Sequence, residues 1–121
     1  MTKTLVVMEP LKIAKEFSTT PGPRHESEGP FSGEIFRKNT LAPLVKKAIN
    51  ENQILTIDLD GTEGYGTSFL EEAFGGLIRS EHISFKALEE HLNYISIEEP
   101  YLIDDIHEYL NDAKKNNKQT A

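Results

Sequence analysis

Apolar residues recur along the chain at spacings that predict short strands alternating with amphipathic helices. The clearest strand covers residues 54–59, where both faces are largely apolar until Asp58, as in a central strand covered by other elements. The sharpest helical pattern covers residues 67–80 and forms one continuous stripe made of Phe69, Leu70, Ala73, Phe74, Leu77 and Ile78. Two adjacent glycines, Gly75 and Gly76, are unfavourable inside such a helix, so we expect close packing against the sheet to explain them.

Weaker patterns cover the first part of the chain. Residues 3–8 predict a strand, residues 11–17 fit either a helical turn or a second strand, and residues 18–29 predict a mobile loop. Ser32 is a good N-cap for a helical region that runs to about residue 52. This region contains Pro43, which a regular helix does not accept in its interior, so we expect a kink or a break with Thr40 capping a second helix.

The last part of the chain predicts a helix, a strand and a longer helix. Ser84 can cap a short helix whose inward face ends at Leu92, and residues 94–97 predict a strand. Pro100 opens a final helix to about residue 115, and we expect residues 116–121 to fray. Strands separated by helices predict a single α/β domain over residues 1–121, with a small mixed or parallel sheet of about four strands covered by helices.

Charge and composition restrict the possible functions. Acidic residues outnumber basic residues 20 to 13, for a net charge of -7, whereas a general nucleic-acid binder needs a basic face. There is no cysteine, which excludes disulfides and thiolate metal ligands and fits the cytoplasm. No apolar run approaches the length of a membrane span. We therefore expect a cytoplasmic domain that binds neither nucleic acid nor membrane.

A short acidic motif follows the central strand. The segment Ile57-Asp58-Leu59-Asp60-Gly61-Thr62 resembles the first motif of haloacid-dehalogenase-type phosphatases. The resemblance implies that Asp58 is a nucleophile, that Asp60 is an acid/base, and that both carboxylates hold Mg²⁺, which prefers oxygen ligands. The alternative is structural, with the two carboxylates ending the strand and stabilising its turn.

The start of the following helix offers a second kind of site. Gly64-Tyr65-Gly66 permits a tight turn, and Thr67 or Ser68 can cap the helix. An exposed hydroxyl here also suits phosphorylation, because the helix dipole and the free N–H groups stabilise an added phosphate. The spacing by itself fits a plain cap as well as a modification site.

Three stretches of the chain, residues 29–37, 57–61 and 64–77, are similar to a bacterial family of STAS-like domains of unknown function. STAS names the domain shared by sulfate transporters and anti-sigma factor antagonists. The most specific part is the run Ser-Phe-Leu-Glu-Glu-Ala-Phe-Gly-Gly-Leu, and the similarity extends from about Lys12 to the C-terminal helix. It implies a small sheet with helices packed mainly on one side.

The resemblance also implies a regulatory switch. In characterised anti-sigma factor antagonists, a partner kinase phosphorylates a Ser at the start of the helix after the central strand, and this releases the antagonist from the kinase. By resemblance Ser68 takes that position, with Thr67 beside it. The local sequence differs, since Gly-Tyr-Gly-Thr-Ser-Phe stands where those antagonists have a Met-Asp-Ser type of turn.

We therefore expect a non-enzymatic regulatory domain that binds a protein partner, such as a histidine-kinase-like ATPase, and that uses no cofactor, metal or catalytic residue. The expected interaction surface consists of Asp58, Asp60, Gly61, Gly64, Tyr65, Gly66 and Phe69. The residues expected to contact the partner or a phosphate are Arg24, Ser32 and Arg37, and Arg79 would join them if the arginines converge. Two alternatives stay open: a small Mg²⁺-dependent phosphatase that uses Asp58 and Asp60, and a nucleotide-binding accessory or scaffold domain. The oligomeric state stays open as well.

Overall fold

The computed structural model of the chain describes residues 6–120, except for the side chains of residues 67 and 117–120. Short strands alternate with helices, two of which contain a wider π-helical turn. In chain order the elements are β1 (Val6–Val7), β2 (Leu11–Lys12), α1 (Ile13–Glu16), a 3-10 turn (Glu26–Glu28), α2 (Gly33–Phe36), the π-helical turn π1 (Arg37–Leu41), α3 (Ala42–Asn50), β3 (Gln53–Asp58), α4 (Thr67–Leu70), the π-helical turn π2 (Glu71–Gly75), α5 (Gly76–Arg79), α6 (Phe85–His91), β4 (Leu92–Ile95) and α7 (Tyr101–Thr120).

β3 is the centre of the sheet. It pairs in parallel with β1 at its first residues, with β2 at its last residues, and with β4 from Leu55 to Asp58. Both β2 and β4 pair with Ile57 and Asp58, so these two strands lie on opposite edges of β3. Every strand pair within residues 6–120 is parallel. The predicted α/β class with about four strands is therefore confirmed, and the sheet is parallel rather than mixed.

The N-terminal segment follows the predicted pattern with one refinement. β1 lies within the predicted strand at residues 3–8, of which residues 3–5 are outside the described residues. Residues 11–17 contain both of the elements that the sequence allowed, because β2 ends at Lys12 and α1 begins at Ile13. The Ile13 side chain is fully buried, which anchors this strand-to-helix transition in the core.

Pro43 is accommodated without a break in the helix. α2, π1 and α3 are continuous, and Leu41, which precedes α3, has helical backbone angles of φ -69° and ψ -54°. Thr40 lies inside π1, so the predicted second cap at Thr40 is wrong. A π turn tolerates the missing N–H and the bulk of the proline ring, because it widens the helix one turn before Pro43.

Buried aromatic rings hold the helix that follows β3 against the helix that precedes it. Phe36, Phe69 and Phe74 are among the largest fully buried side chains. Phe36 and Phe69 stack with ring centroids 5.5 Å apart. Phe17 lies against both rings, at 5.0 Å from Phe36 and 5.9 Å from Phe69. These contacts fix the position of the first turn after the central strand.

The last strand and the last helix differ from their predicted boundaries. β4 covers Leu92–Ile95 rather than residues 94–97, because Leu92 enters the sheet opposite Leu55 instead of ending the preceding helix. α7 continues to Thr120 rather than ending near residue 115 with a frayed tail. No glycine or proline follows Pro100, so no residue that breaks a helix ends α7 earlier.

Candidate functional site

The carboxyl end of β3 leads into a turn that is tied to the loop after β4. Asp58 Oδ1 accepts a hydrogen bond from the backbone N–H of Asp60 at 3.0 Å. The Asp60 carboxylate in turn accepts from the backbone N–H groups of Ile97 at 2.9 Å and Glu98 at 3.0 Å. The N–H of Gly61 donates to the Glu98 side chain at 2.7 Å. The two loops therefore form one surface at the carboxyl edge of the sheet.

These contacts account for both aspartates of the acidic motif. Asp58 closes a local turn through its own side chain, a common use of aspartate after a strand. Asp60 fixes the neighbouring loop. Among the side chains that the structure describes, no group of three or more His, Asp or Glu residues is arranged to hold a metal ion. The geometry matches the structural alternative for this motif and adds no support for the phosphatase alternative.

Glycines shape the turn and let a second loop approach it. Gly61 and Gly64 have φ values of 94° and 136°, which residues with a β-carbon rarely adopt. Gly66 packs so closely on the Gly22 carbonyl that an added β-carbon would overlap it. The N–H of Gly66 also donates to the Pro21 carbonyl at 3.2 Å. The loop at residues 18–29 is therefore held against the helix start.

Tyr65 braces the turn from its half-buried position. Its Oη donates a hydrogen bond to the Leu59 carbonyl at 2.8 Å. Its ring lies 6.0 Å from the ring of Phe69. Burial raises the pKa of the Tyr65 phenol, so the hydroxyl stays protonated and keeps donating throughout the neutral pH range.

Ser68 lies in the first turn of the helix formed by α4, π2 and α5, two residues past its N-cap. α4 begins at Thr67, so the cap position falls on Gly66, whose carbonyl accepts the N–H of Phe69 at 3.1 Å. The Ser68 side chain is half-buried, and its hydroxyl has no hydrogen-bond partner among the described residues. The side chain of Thr67 lies outside the described residues.

Two residues expected at the surface are buried instead. Phe69 is fully buried and stacks on Phe36. Ser32 is also fully buried, and its Oγ accepts the backbone N–H of Ile35 at 3.1 Å as the N-cap of α2. The expectation that they contact a partner is wrong, because one side chain fills the core and the other ends a helix.

The three arginines Arg24, Arg37 and Arg79 do converge, but on glutamates rather than on an open site. Arg37 is only 3% exposed. Its Nη1 lies 2.5 Å from Glu72 Oε2 and 2.9 Å from the Glu72 carbonyl, and its Nε lies 3.2 Å from Glu81 Oε2. Arg37 therefore joins the helix of α2, π1 and α3 to the helix of α4, π2 and α5 from the inside. Its expected role as a partner or phosphate contact is wrong.

Arg24 and Arg79 cover the outer side of the same cluster. Arg24 Nη1 lies 2.5 Å from Glu71 Oε1 and 3.2 Å from Glu72 Oε1. Arg79 Nη1 lies 2.8 Å from Glu71 Oε2. Burial by itself raises the pKa of the Glu71 carboxyl, but the hydrogen bonds from Arg79 and Arg24 outweigh it and lower that pKa. The Arg24 side chain is about a third exposed, so it is the accessible member of the expected contacts Arg24, Ser32 and Arg37.

The glycine pair in the helix makes room for this cluster. A β-carbon on Gly76 would lie 2.9 Å from Cδ and 3.0 Å from Cζ of Arg37. A β-carbon on Gly75 would lie 2.6 Å from Glu71 Oε2. The expectation that this pair packs against the sheet is wrong. Arg37 and Glu72 are 35 positions apart, so no local pattern could show their contact, although two glycines in an otherwise strong helix do signal a close approach.

Ile97 and Tyr101 are surface residues that the sequence did not single out. They are 80% and 55% exposed, and they flank Glu98 and Glu99 on the loop that Asp60 holds. Neither residues 58–70 nor residues 92–113 include a lysine or arginine. We call residues 60–68 and 97–101 together the edge surface. It is acidic and carries two exposed apolar side chains.

The parallel sheet centred on β3, with the glycine turn and helix that follow it, defines a small α/β domain. A family model described as a STAS-like domain of unknown function (DUF4325) matches residues 32–102. This match covers more than half of the chain, so the chain belongs to that family. It is shorter than the expected similarity from Lys12 to the C-terminal helix, but it includes the turn and the arginine-glutamate pair. Membership is consistent with a regulatory interaction domain.

No curated protein and no solved structure matches the chain significantly. Within the part of the chain that the structure describes, no helix combines the length and apolar character needed to cross a membrane.

Proposed function

We propose that this chain is a non-enzymatic, cytoplasmic regulatory domain that binds a protein partner through the edge surface, and that charge on Ser68 weakens this binding. The observation that carries the proposal is the half-buried Ser68 hydroxyl, which has no hydrogen-bond partner among the described residues. It lies at the start of the helix after the central strand. Membership of the STAS-like family is consistent with a regulatory interaction domain.

Phosphorylation of Ser68 would weaken binding because it adds charge at a position that loses water when the partner docks. A kinase transfers the γ-phosphoryl group of ATP to Ser68 Oγ, and ADP and the hydroxyl proton leave. The phosphate adds nearly two negative charges at neutral pH. A docked partner would cover this half-buried position with its apolar pocket and remove water from it, and burying a doubly charged phosphate there is costly even when the phosphate is paired. Phosphorylated Ser68 therefore disfavours the bound state.

The edge surface suits a partner with a basic rim around an apolar pocket. Ile97 and Tyr101 provide exposed apolar area, and Asp60, Glu63 and Glu98 provide negative charge close by. Apolar side chains at the centre of an interface supply most of its affinity, whereas complementary charge at the rim sets partner choice and association rate. A histidine-kinase-like ATPase with such a surface is the partner class that we propose.

Binding measurements with matched serine variants test the proposal. Proteins that the immobilised chain captures from a lysate of its own organism are purified, and the Kd of each is measured with wild type, Ser68→Glu and Ser27→Glu. Ser27 is exposed on the 3-10 turn and receives the same added charge. Ser68→Glu should weaken the Kd at least about tenfold, which is about 1.4 kcal/mol. Ser27→Glu should leave it within about twofold, as for most surface substitutions.

Two results would contradict the proposal. One is an unchanged Kd for Ser68→Glu with every purified partner. The other is turnover of an aryl phosphate in the presence of Mg²⁺ that Asp58→Asn abolishes, which would show that the chain is an enzyme. Ile97→Asp gives an independent check of the edge surface, because it should weaken binding whether or not Ser68 is ever modified.

A further inference from the structure

We propose that Arg24 binds the phosphate of phosphorylated Ser68, so that the modified helix start and the loop at residues 18–29 form an intramolecular phosphate site. This inference rests on the proposed modification of Ser68 and names the group that receives the new charge. Arg37 is not a candidate for this role, because it is buried and its guanidinium already contacts Glu72.

Each of the two glutamates that Arg24 contacts also contacts another arginine. Arg24 and Arg79 contact both Glu71 and Glu72, whereas Arg37 contacts Glu72 and a third glutamate, Glu81. If Arg24 moves away, Glu71 keeps Arg79 at 2.8 Å and Glu72 keeps Arg37 at 2.5 Å. Removing the partner of a buried charge is costly only when that charge is left unpaired. Arg24 can therefore change its contact without leaving either carboxylate alone.

Ser68 lies on the same helix face as the two glutamates that hold Arg24. Glu71 and Glu72 follow Ser68 by three and four positions. Residues at these spacings are neighbours on a helix surface, with β-carbons about 5–6 Å apart. The Glu71 carboxylate lies beside Gly75, so the Arg24 guanidinium has to turn back along the helix by about one turn to reach position 68. Since Arg24 Nη1 contacts both carboxylates, it lies on the helix face that carries Ser68.

The backbone that carries Arg24 already runs along this turn. The Pro21 carbonyl accepts the N–H of Gly66 at 3.2 Å, and the Arg24 carbonyl accepts the N–H of Glu34 at 3.0 Å. The loop is thus attached at the helix start on one side and at α2 on the other. Only the Arg24 side chain, which is about a third exposed, needs to turn.

A phosphate is the stronger competitor for this guanidinium. Its charge of nearly two exceeds that of one carboxylate, and its oxygens match the planar fork of an arginine in a bidentate arrangement. Capture of Arg24 would also compensate the repulsion between a phosphate on Ser68 and the two glutamates one turn away. The phosphorylated state therefore acquires a defined structure rather than only an added charge.

The pKa of the phosphate itself tests the assignment. Phosphoserine is incorporated at position 68 during translation, and its second ionisation is followed by ³¹P NMR in the otherwise wild-type chain, in Arg24→Gln and in Lys86→Gln. Lys86 is an exposed cation of α6, and its replacement removes the same charge. Loss of a direct cationic partner should raise the phosphate pKa by about one unit in Arg24→Gln. Lys86→Gln should leave it unchanged, and Arg24→Lys should give an intermediate value because lysine lacks the fork.

An equal phosphate pKa in Arg24→Gln and the wild-type background would overturn the assignment. The measurement needs neither kinase nor partner, so its failure is separate from failure of the regulatory proposal. Phosphorylation could weaken partner binding as proposed while Arg24→Gln leaves the phosphate pKa unchanged. This pair of results would reject the Arg24 site and leave the regulatory proposal standing. The unmodified Arg24→Gln chain should keep its circular dichroism spectrum, because Glu71 and Glu72 retain their other arginines.

Discussion

Replacing Gly76 with alanine should destabilise the protein, although the same exchange stabilises an ordinary helix by about 1 kcal/mol. The new β-carbon would lie 2.9 Å from Cδ and 3.0 Å from Cζ of Arg37. Arg37 cannot easily move, because it is 3% exposed and bonded to Glu72 and Glu81. Overpacking of this kind costs about 1–3 kcal/mol, and the cost should lie near the upper end because two glutamates hold Arg37 in place. After the helical gain is subtracted, we expect a net loss of about 2 kcal/mol.

The neighbouring glycine is the matched control. In Gly75→Ala the β-carbon would meet Glu71 Oε2 at 2.6 Å and Arg79 Nη1 at 3.3 Å. Both atoms are the far ends of flexible, more exposed side chains that can turn aside. The helical gain should therefore offset most of the cost, and stability should stay within about 0.5 kcal/mol of wild type. The size of the destabilisation should thus differ clearly between two adjacent glycines.

Urea unfolding followed by far-UV circular dichroism measures both variants, because a domain of this size is expected to unfold in two states. Gly76→Ala is also measured in an Arg37→Leu background. If Arg37 is the obstacle, alanine at position 76 should lose most of its cost there, and the two changes should be strongly non-additive. A Gly76→Ala chain as stable as wild type would refute the reasoning. So would the same cost in both backgrounds.

Two further predictions concern helix ends and acid. Ser32→Ala should lower the free energy of unfolding by about 1 kcal/mol in urea titrations, whereas Ser84→Ala should cost less because its cap is exposed to water; equal losses would contradict this. The pKa values of Glu71 and Glu81 are lowered, since their basic partners outweigh desolvation, so the folded state binds fewer protons than the unfolded state. Their contribution is present above the ordinary value of 4.5 and is lost as the pH falls through the lowered values. The midpoint in urea should therefore fall on acidification, and less steeply in Glu71→Gln; a pH-independent midpoint would be the contrary result.

Local sequence patterns were sufficient to predict the central strand and the helix that follows it. In β3 the apolar residues occupy both faces, as burial on both sides requires, and the helical stripe containing Phe69 and Phe74 is buried as its period predicts. The resemblance to STAS-like domains then identified the fold class, which the family match supports. The turn glycines and Ser68 were also found from sequence, because each stands next to a strong strand or helix signal.

Contacts between separate elements were decided by the tertiary structure alone. Periodicity reports which face of one element is apolar, but it does not report how two elements are placed against each other. The contact between Arg37 and Glu72 spans 35 positions, and it depends on how closely the helix before β3 approaches the helix after β3. The same placement buries Ser32 and leaves Arg24 accessible. Similarly, β4 begins at Leu92 because that residue pairs with Leu55 across the sheet, and a hydrogen bond between strands overrides a local helical pattern.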